Sequence, residues 1–174
     1  MEKINLYSLD ERYNELYPKD DMIAVTNSDG IKKYSSAEFV ETSNKLASAL
    51  IELGVEKQDK ICIISANRPE WSLLDMSISK VGAINAPIYP NITREEYKYI
   101  INDCGAKLVF VGSNDIYQNV NGLVEEIDCL DEIISFDNLK NLRNFNDLID
   151  LGSEKNNKQK ILKIQNSINE EDLF

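Results

Sequence analysis

The sequence contains no histidine, the side chain whose ordinary pKa lies nearest neutrality. A Ser-His-Asp triad, an imidazole metal site and an imidazole proton shuttle are thereby excluded within these residues. Cysteine is scarce: Cys62, Cys104 and Cys129 are the three present, and their wide separation lacks the paired spacing of zinc or dithiol motifs. They read as reduced thiols, with Cys62 in the core. Positive charge is also short, 19 basic against 30 acidic residues for a formal charge of -11, so the long-range field repels phosphate backbones and anionic lipid surfaces. Nucleic acid is therefore not an expected partner. No apolar run approaches the roughly 18 residues of a membrane span. The start Met1-Glu2-Lys3-Ile4-Asn5 lacks the basic and apolar regions of a secretory signal. The expectation is a cytoplasmic chain with no transmembrane segment, for which peripheral membrane contact stays compatible. A Walker-type phosphate loop, a G-x-G-x-x-G and a G-x-S-x-G elbow are all missing as well.

What the chain does have is a core. Its 174 residues are 43% hydrophobic and 28% charged, which suits one folded globular domain and is too apolar for a disordered one. Ser8-Leu9-Asp10-Glu11 has capping-box spacing and predicts a short helix to about Leu16, stopped by Pro18. Residues 22–26 read as a strand, Asn27-Ser28-Asp29-Gly30 as a turn, and 31–34 as the returning strand of a hairpin. A second box, Ser35-Ser36-Ala37-Glu38, opens a helix with Phe39, Leu46, Ala47, Leu50 and Leu53 at helical spacing, ended by Gly54.

From there strands and helices alternate. Residues 60–65 hold four apolar residues in succession, the pattern of a strand covered on both faces. A helix over 69–81 follows, with Trp71, Leu74, Ile78 and Val81 on one stripe. A strand over 83–87 leads to a third box at Thr93-Arg94-Glu95-Glu96 and a helix ending near Gly105. Residues 107–111 and 132–136 read as strands flanking a helix over 113–127. The fold class is α/β: a mostly parallel sheet with helices on both faces, preceded by a short helix and a β-hairpin, with right-handed crossovers. The core is expected over about 20–137, and 138–174 as a surface helix and linker, with a short helix over 142–151 and a polar, lysine-rich stretch over 152–165.

Several segments have the composition of candidate sites. Open parallel sheets bind ligands beyond the carboxyl ends of their strands, where Ala66-Asn67-Arg68-Pro69-Glu70-Trp71 lies. Arg68 and the helix start could hold an anion. Against that, Pro69 presets the first helical turn, Glu70 places a negative charge where an anion would sit, and Trp71 buries its ring. The packing reading is preferred. Tyr89, between Pro87-Ile88 and Pro90, could offer a hydroxyl, but the flanking prolines favour a rigid packed turn. Asp20-Asp21 precedes its strand, unlike a receiver's magnesium pocket, and reads as a solvated cap. Lys155, Lys158, Lys160 and Lys163 read as a wet helix face.

Four segments together resemble the AMP-forming acyl-CoA synthetases of the adenylate-forming superfamily, leaning toward the long-chain fatty acid type. Lys33-Tyr34-Ser35-Ser36-Ala37-Glu38-Phe39 resembles the family's first core motif, and Lys80-Val81-Gly82-Ala83-Ile84-Asn85-Ala86-Pro87-Ile88-Tyr89-Pro90 the second. Asn67-Arg68-Pro69-Glu70-Trp71 and Asp103-Cys104-Gly105-Ala106-Lys107-Leu108-Val109 resemble further blocks. The resemblance implies that residues 1–174 are the N-terminal part of an AMP-binding synthetase domain. The complete enzyme would use ATP, Mg2+ and CoA to activate a fatty acid, with the remainder of its own chain as partner.

The family's Ser/Thr/Gly-rich phosphate loop with its lysine, its Thr-Glu pair for magnesium, its ribose aspartate and its C-terminal lysine find no match here. No catalytic, cofactor-binding or metal residue is therefore assigned. The expectation is a portion that binds none of these cofactors and is inactive alone, stopping just before the phosphate loop, which the acidic stretch 169–174 would precede. The alternatives are a stand-alone flavodoxin-like or receiver-like small-ligand module, another acyl or aryl adenylating enzyme, and a homo-oligomer formed through an apolar face left open.

Overall fold

A computed structural model describes residues 5–27, 30–169 and 172. Ser28 and Asp29 of the expected turn, the start 1–4, and 170, 171, 173 and 174 of the acidic stretch lie outside the described residues. After a 3-10 turn, Leu6–Ser8, come α1 (Leu9–Leu16), β1 (Ile23–Asn27), β2 (Gly30–Tyr34), α2 (Ser36–Glu52) and β3 (Lys60–Ile64). Then follow α3 (Pro69–Lys80), β4 (Ile84–Ile88), α4 (Arg94–Cys104), β5 (Ala106–Val111), α5 (Asn114–Val120), β6 (Glu132–Ser135), α6 (Phe145–Lys155) and α7 (Lys158–Asn166). No helix among the described residues is long and apolar enough to cross a membrane.

Four strands pair in parallel in the order β4-β3-β5-β6, and β1 and β2 form a separate antiparallel pair with Ile23 opposite Tyr34. Side chains alternate across a strand, so each apolar run serves two cores. Ile61, Ile63, Leu108, Phe110 and Ile134 face one cluster with residues of α2, α3 and α6. Cys62, Ile64, Val109, Val111 and Ile133 face the other, under α4 and α5. The α/β class with helices on both faces follows directly from this doubly covered sheet.

Two of the three expected capping boxes form. Ser35 Oγ accepts from Glu38 N at 3.1 Å while Glu38 Oε2 accepts from Ser35 N at 2.7 Å. Thr93 and Glu96 repeat the arrangement at 3.3 and 2.8 Å. The box at Ser8 does not form: Ser8 Oγ donates to Asn5 O, and Asp10 and Glu11 turn instead toward Lys80. The single helix expected over 113–127 is broken, because α5 stops at Val120 and Gly122, at φ 81°, starts a separate 3-10 turn at Leu123–Glu125.

The surface reading of 138–174 is also corrected. Asn144 caps α6 by accepting from Asn146 N and Asp147 N, and Phe145 and Leu148 bury in the core beside α2. At Gly152 the two helices approach so closely that a β-carbon would collide with the Lys45 carbonyl. Asn157 Nδ2 then donates to Ser48 O at 3.2 Å and Glu52 Oε1 at 2.7 Å, and Ile161 of α7 is buried. The apolar residues of this segment are diluted by Asn, Asp and Lys, which hid its core face from periodicity.

Candidate functional site

The strand order reverses between β3 and β5: the chain leaves β3 for β4 on one side and leaves β5 for β6 on the other. Such a switch point opens a crevice at the carboxyl ends of the strands. Here an open cleft of about 460 Å³ is lined by Ser65, Asn67 and Arg68 after β3, Pro90 and Asn91 after β4, and Gly112, Ser113 and Asp115 after β5. Gly112 lets the ends of β3 and β5 close together, since a β-carbon there would collide with the side chain of Ser65.

Arg68 is the cation of this cleft, and it is already engaged. Its Nε donates to Glu70 Oε2 at 2.8 Å, and one terminal nitrogen donates to Gly112 O and Asp137 Oδ1, both at 3.0 Å. The guanidinium also lies 5.2 Å from the Phe136 ring centre, a cation–π distance. Burial disfavours the charge, but Glu70 and then Asp137 outweigh it, so the pKa stands above its usual value. Two carboxylates within hydrogen-bond reach neutralise the cation locally, and Arg68 acts as a clasp joining the loops after β3, β5 and β6. Asp137 and Gly112 escaped sequence reasoning. A glycine directly after the apolar run of β5 was the available signal for one, and nothing local marked the other.

The remaining sequence candidates are dispersed. Trp71 packs against the core but is only partly buried, so its ring is less enclosed than expected. The packed-turn reading of Tyr89 is overturned: its side chain is 84% exposed, while its carbonyl accepts from Tyr97 Oη at 3.3 Å. The turn is fixed through its backbone, which leaves the ring outside. Asp21 pairs with Lys33 at 3.3 Å on the surface. Lys155, Lys158, Lys160 and Lys163 are exposed on α6 and α7, with Lys160 3.6 Å from Glu52.

A buried ionic network on the far side of α3 was not foreseen. Lys80 Nζ lies 3.0 Å from Asp10 Oδ2, the two side chains being 0% and 1% exposed. Asn44 Oδ1 accepts from Lys80 at 2.9 Å and Ser43 Oγ donates to Asp10 at 2.8 Å. Every group here has a partner inside the protein, so the network fastens α1 to α2 and α3.

The profile of the AMP-binding enzyme family matches residues 11–173. The chain belongs to that family. A long-chain-fatty-acid–CoA ligase of Mycobacterium bovis is 31% identical over 109 residues, covering 61% of this chain and 18% of the relative. A crotonobetaine/carnitine–CoA ligase of Citrobacter koseri is 28% identical over 127 residues, covering 72% of this chain and 24% of the relative. Among solved structures, a long-chain-fatty-acid-CoA ligase from Archaeoglobus fulgidus superposes with TM-score 0.75 at 22% identity, over 87% of this chain and 31% of that one. An anthranilate CoA ligase in complex with anthranoyl-AMP gives TM-score 0.72 at 22% identity, over 84% and 27%. The chain thus spans less than a third of each of these four proteins. The AMP-binding fold is shared across it, and the family-like blocks fall at the α2 cap, the start of α3, the α3-to-β4 turn and the α4-to-β5 turn.

The lining of this cleft does not suit the phosphates of ATP. The cleft's cation is matched by two carboxylates, Asp115 adds a third to the lining, and no cluster of three or more acidic or thiol side chains able to hold a metal occurs among the described residues.

Proposed function

We propose that the chain is the N-terminal scaffold of an AMP-forming acyl-CoA ligase, residues 1–174 being one part of its AMP-binding domain. The complete enzyme would activate a fatty acid with ATP, assisted by Mg2+, to acyl-AMP and pyrophosphate, and then pass the acyl group to CoA. Arg68 carries the scaffold reading: at the crevice where an open sheet takes ligands, its charge already holds three loops together. A cation committed in this way supports a role in shaping the site and leaves the reacting groups to sequence outside these residues. The parallel sheet would then supply a wall of the acyl tunnel.

A long-chain fatty acid is the proposed substrate, supported by the mycobacterial relative and by the Pro87-Ile88-Tyr89-Pro90 turn. A second reading, a short polar acid, is favoured by the carnitine-ligase relative, which covers more of the chain. Pyrophosphate exchange into ATP tests both. The 174-residue chain with palmitate, ATP and Mg2+ is expected to give no exchange above background, whereas a chain extended to family length exchanges with palmitate and not with carnitine. Exchange by the 174 residues alone would overturn the scaffold, and carnitine-dependent exchange by the extended chain would overturn the substrate.

A further inference from the structure

Cys62 and Cys104 stand 42 positions apart in the chain, yet their Sγ atoms lie 3.7 Å apart. The fold makes this contact: α4 crosses back over the sheet from β4 to β5 and sets its last turn on the central strand β3. Cys62 is held in the ladder between Ala86 and Val109, and is fully buried. Cys104 is partly exposed at the end of α4, where Sγ donates to Ile101 O at 3.5 Å and Gly105, at φ 66°, ends the helix.

We propose that Cys62 and Cys104 form a peroxide-oxidisable dithiol, a modification site in which Cys104 attacks and Cys62 resolves. The thiolate is the nucleophile of such chemistry. The contact with Cys62 holds Cys104 below the usual thiol value, at about 7, against its own partial burial. The same contact, followed by burial, pushes Cys62 up and keeps it protonated. Cys104 Sγ attacks one oxygen of hydrogen peroxide, the O–O bond breaks, and the departing hydroxide takes up a proton to leave as water. The resulting sulfenic acid faces Cys62. As the Cys62 sulfur attacks Cys104 Sγ, its proton passes to the sulfenic hydroxyl, the S–O bond breaks, and that hydroxyl leaves as a second water. Two thiols and one peroxide become one disulfide and two waters.

A disulfide bond is about 2.0 Å long, so the sulfurs must approach by less than ~2 Å. The end of α4 is the side that can move, because Cys62 is paired on both sides within the sheet. Cys104 is the partly exposed member of the pair and is the one a small oxidant meets first. Cys129 is exposed and lies near enough to push Cys62 up as well, so the test replaces it to leave the pair alone.

The test uses the full chain carrying Cys129→Ser, treated natively with equimolar peroxide, then denatured and alkylated. The expected result is a mass loss of two hydrogens, with neither remaining cysteine alkylated until a dithiol reductant is added. In a Cys62→Ser background, Cys104 should accumulate a sulfenic acid that dimedone traps. With Cys104→Ser, Cys62 should remain an alkylatable thiol. Oxygen addition at Cys104 while Cys62 still alkylates in the Cys129→Ser chain would overturn the proposal. So would retention of both thiols under an exposure that oxidises Cys129 in the unaltered chain.

Discussion

Lys80 and Asp10 form a buried ion pair in which each is the other's nearest counter-charge, with Ser43 and Asn44 completing the hydrogen bonding. Replacing such a pair by apolar groups can be nearly neutral, whereas removing one partner strands a buried charge at a cost of about 3–5 kcal/mol. Lys80→Met is therefore expected to lose that much stability in urea unfolding, and Lys80→Met with Asp10→Leu to recover most of it. A double variant no better than the single one would contradict the pairing. The letters Ser8-Leu9-Asp10-Glu11 suit a capping box and this network equally well. Lys80, 69 positions beyond Glu11, was not part of any local window that could have decided between them. Arg68 was more legible. Its neighbour Glu70 already argued against an anion at that helix start, although the pairing with Arg68, and with it Asp137 and the Gly112 carbonyl, came only with the fold.

Helix starts were readable where no distant charge claims the cap residues, as at Ser35 and Thr93, because such a cap is settled within four residues. At both boxes that form, backbone N–H bonds of the cap residues hold the glutamates below their ordinary 4.5, Ser35 acting on Glu38 and Thr93 on Glu96. A carboxylate with a lowered folded pKa contributes stability above its unfolded pKa and loses it as pH falls through the folded value. The caps should accordingly help fully above pH 4.5 and weaken as the pH drops further below it. Thermal melts of Glu96→Gln against the unaltered chain should differ at neutral pH and converge on acidification. A constant gap across the range would deny the linkage. Helix α6 was less readable, since its apolar residues sit among polar ones and its decisive residue carries no side chain. Gly152→Ala inserts a methyl group against the Lys45 carbonyl, and overpacking of this kind costs about 1–3 kcal/mol. A melting temperature unchanged by Gly152→Ala would mean that α6 does not pack on α2 as described.

At the scale of the molecule, α2 is covered on one side by α6 and α7, which also close the cluster containing Phe110, Phe136 and Ile134. A chain cut to residues 1–137 would expose that cluster along with α2. It is expected to lose cooperative unfolding and to bind a hydrophobic dye, as measured by urea titration and dye fluorescence. A sharp two-state transition with the same midpoint would restore the view that 138–174 is an appendage. The family relationship was already legible in four short blocks, because each encodes a cap, a glycine stop or a strand end, features whose physics is local.

The sequence by itself determined the alternation of strands and helices, two of its helix caps and the double burial of the sheet, since these depend on neighbours one to four residues apart. The tertiary structure alone decided which charges meet, that Gly152 bears a helix contact, and that Cys62 faces Cys104. Those pairings depend on the order in which parallel crossovers stack the chain. Coulombic, steric and sulfur–sulfur contacts act over a few ångströms of space, and distance along the polypeptide does not specify them.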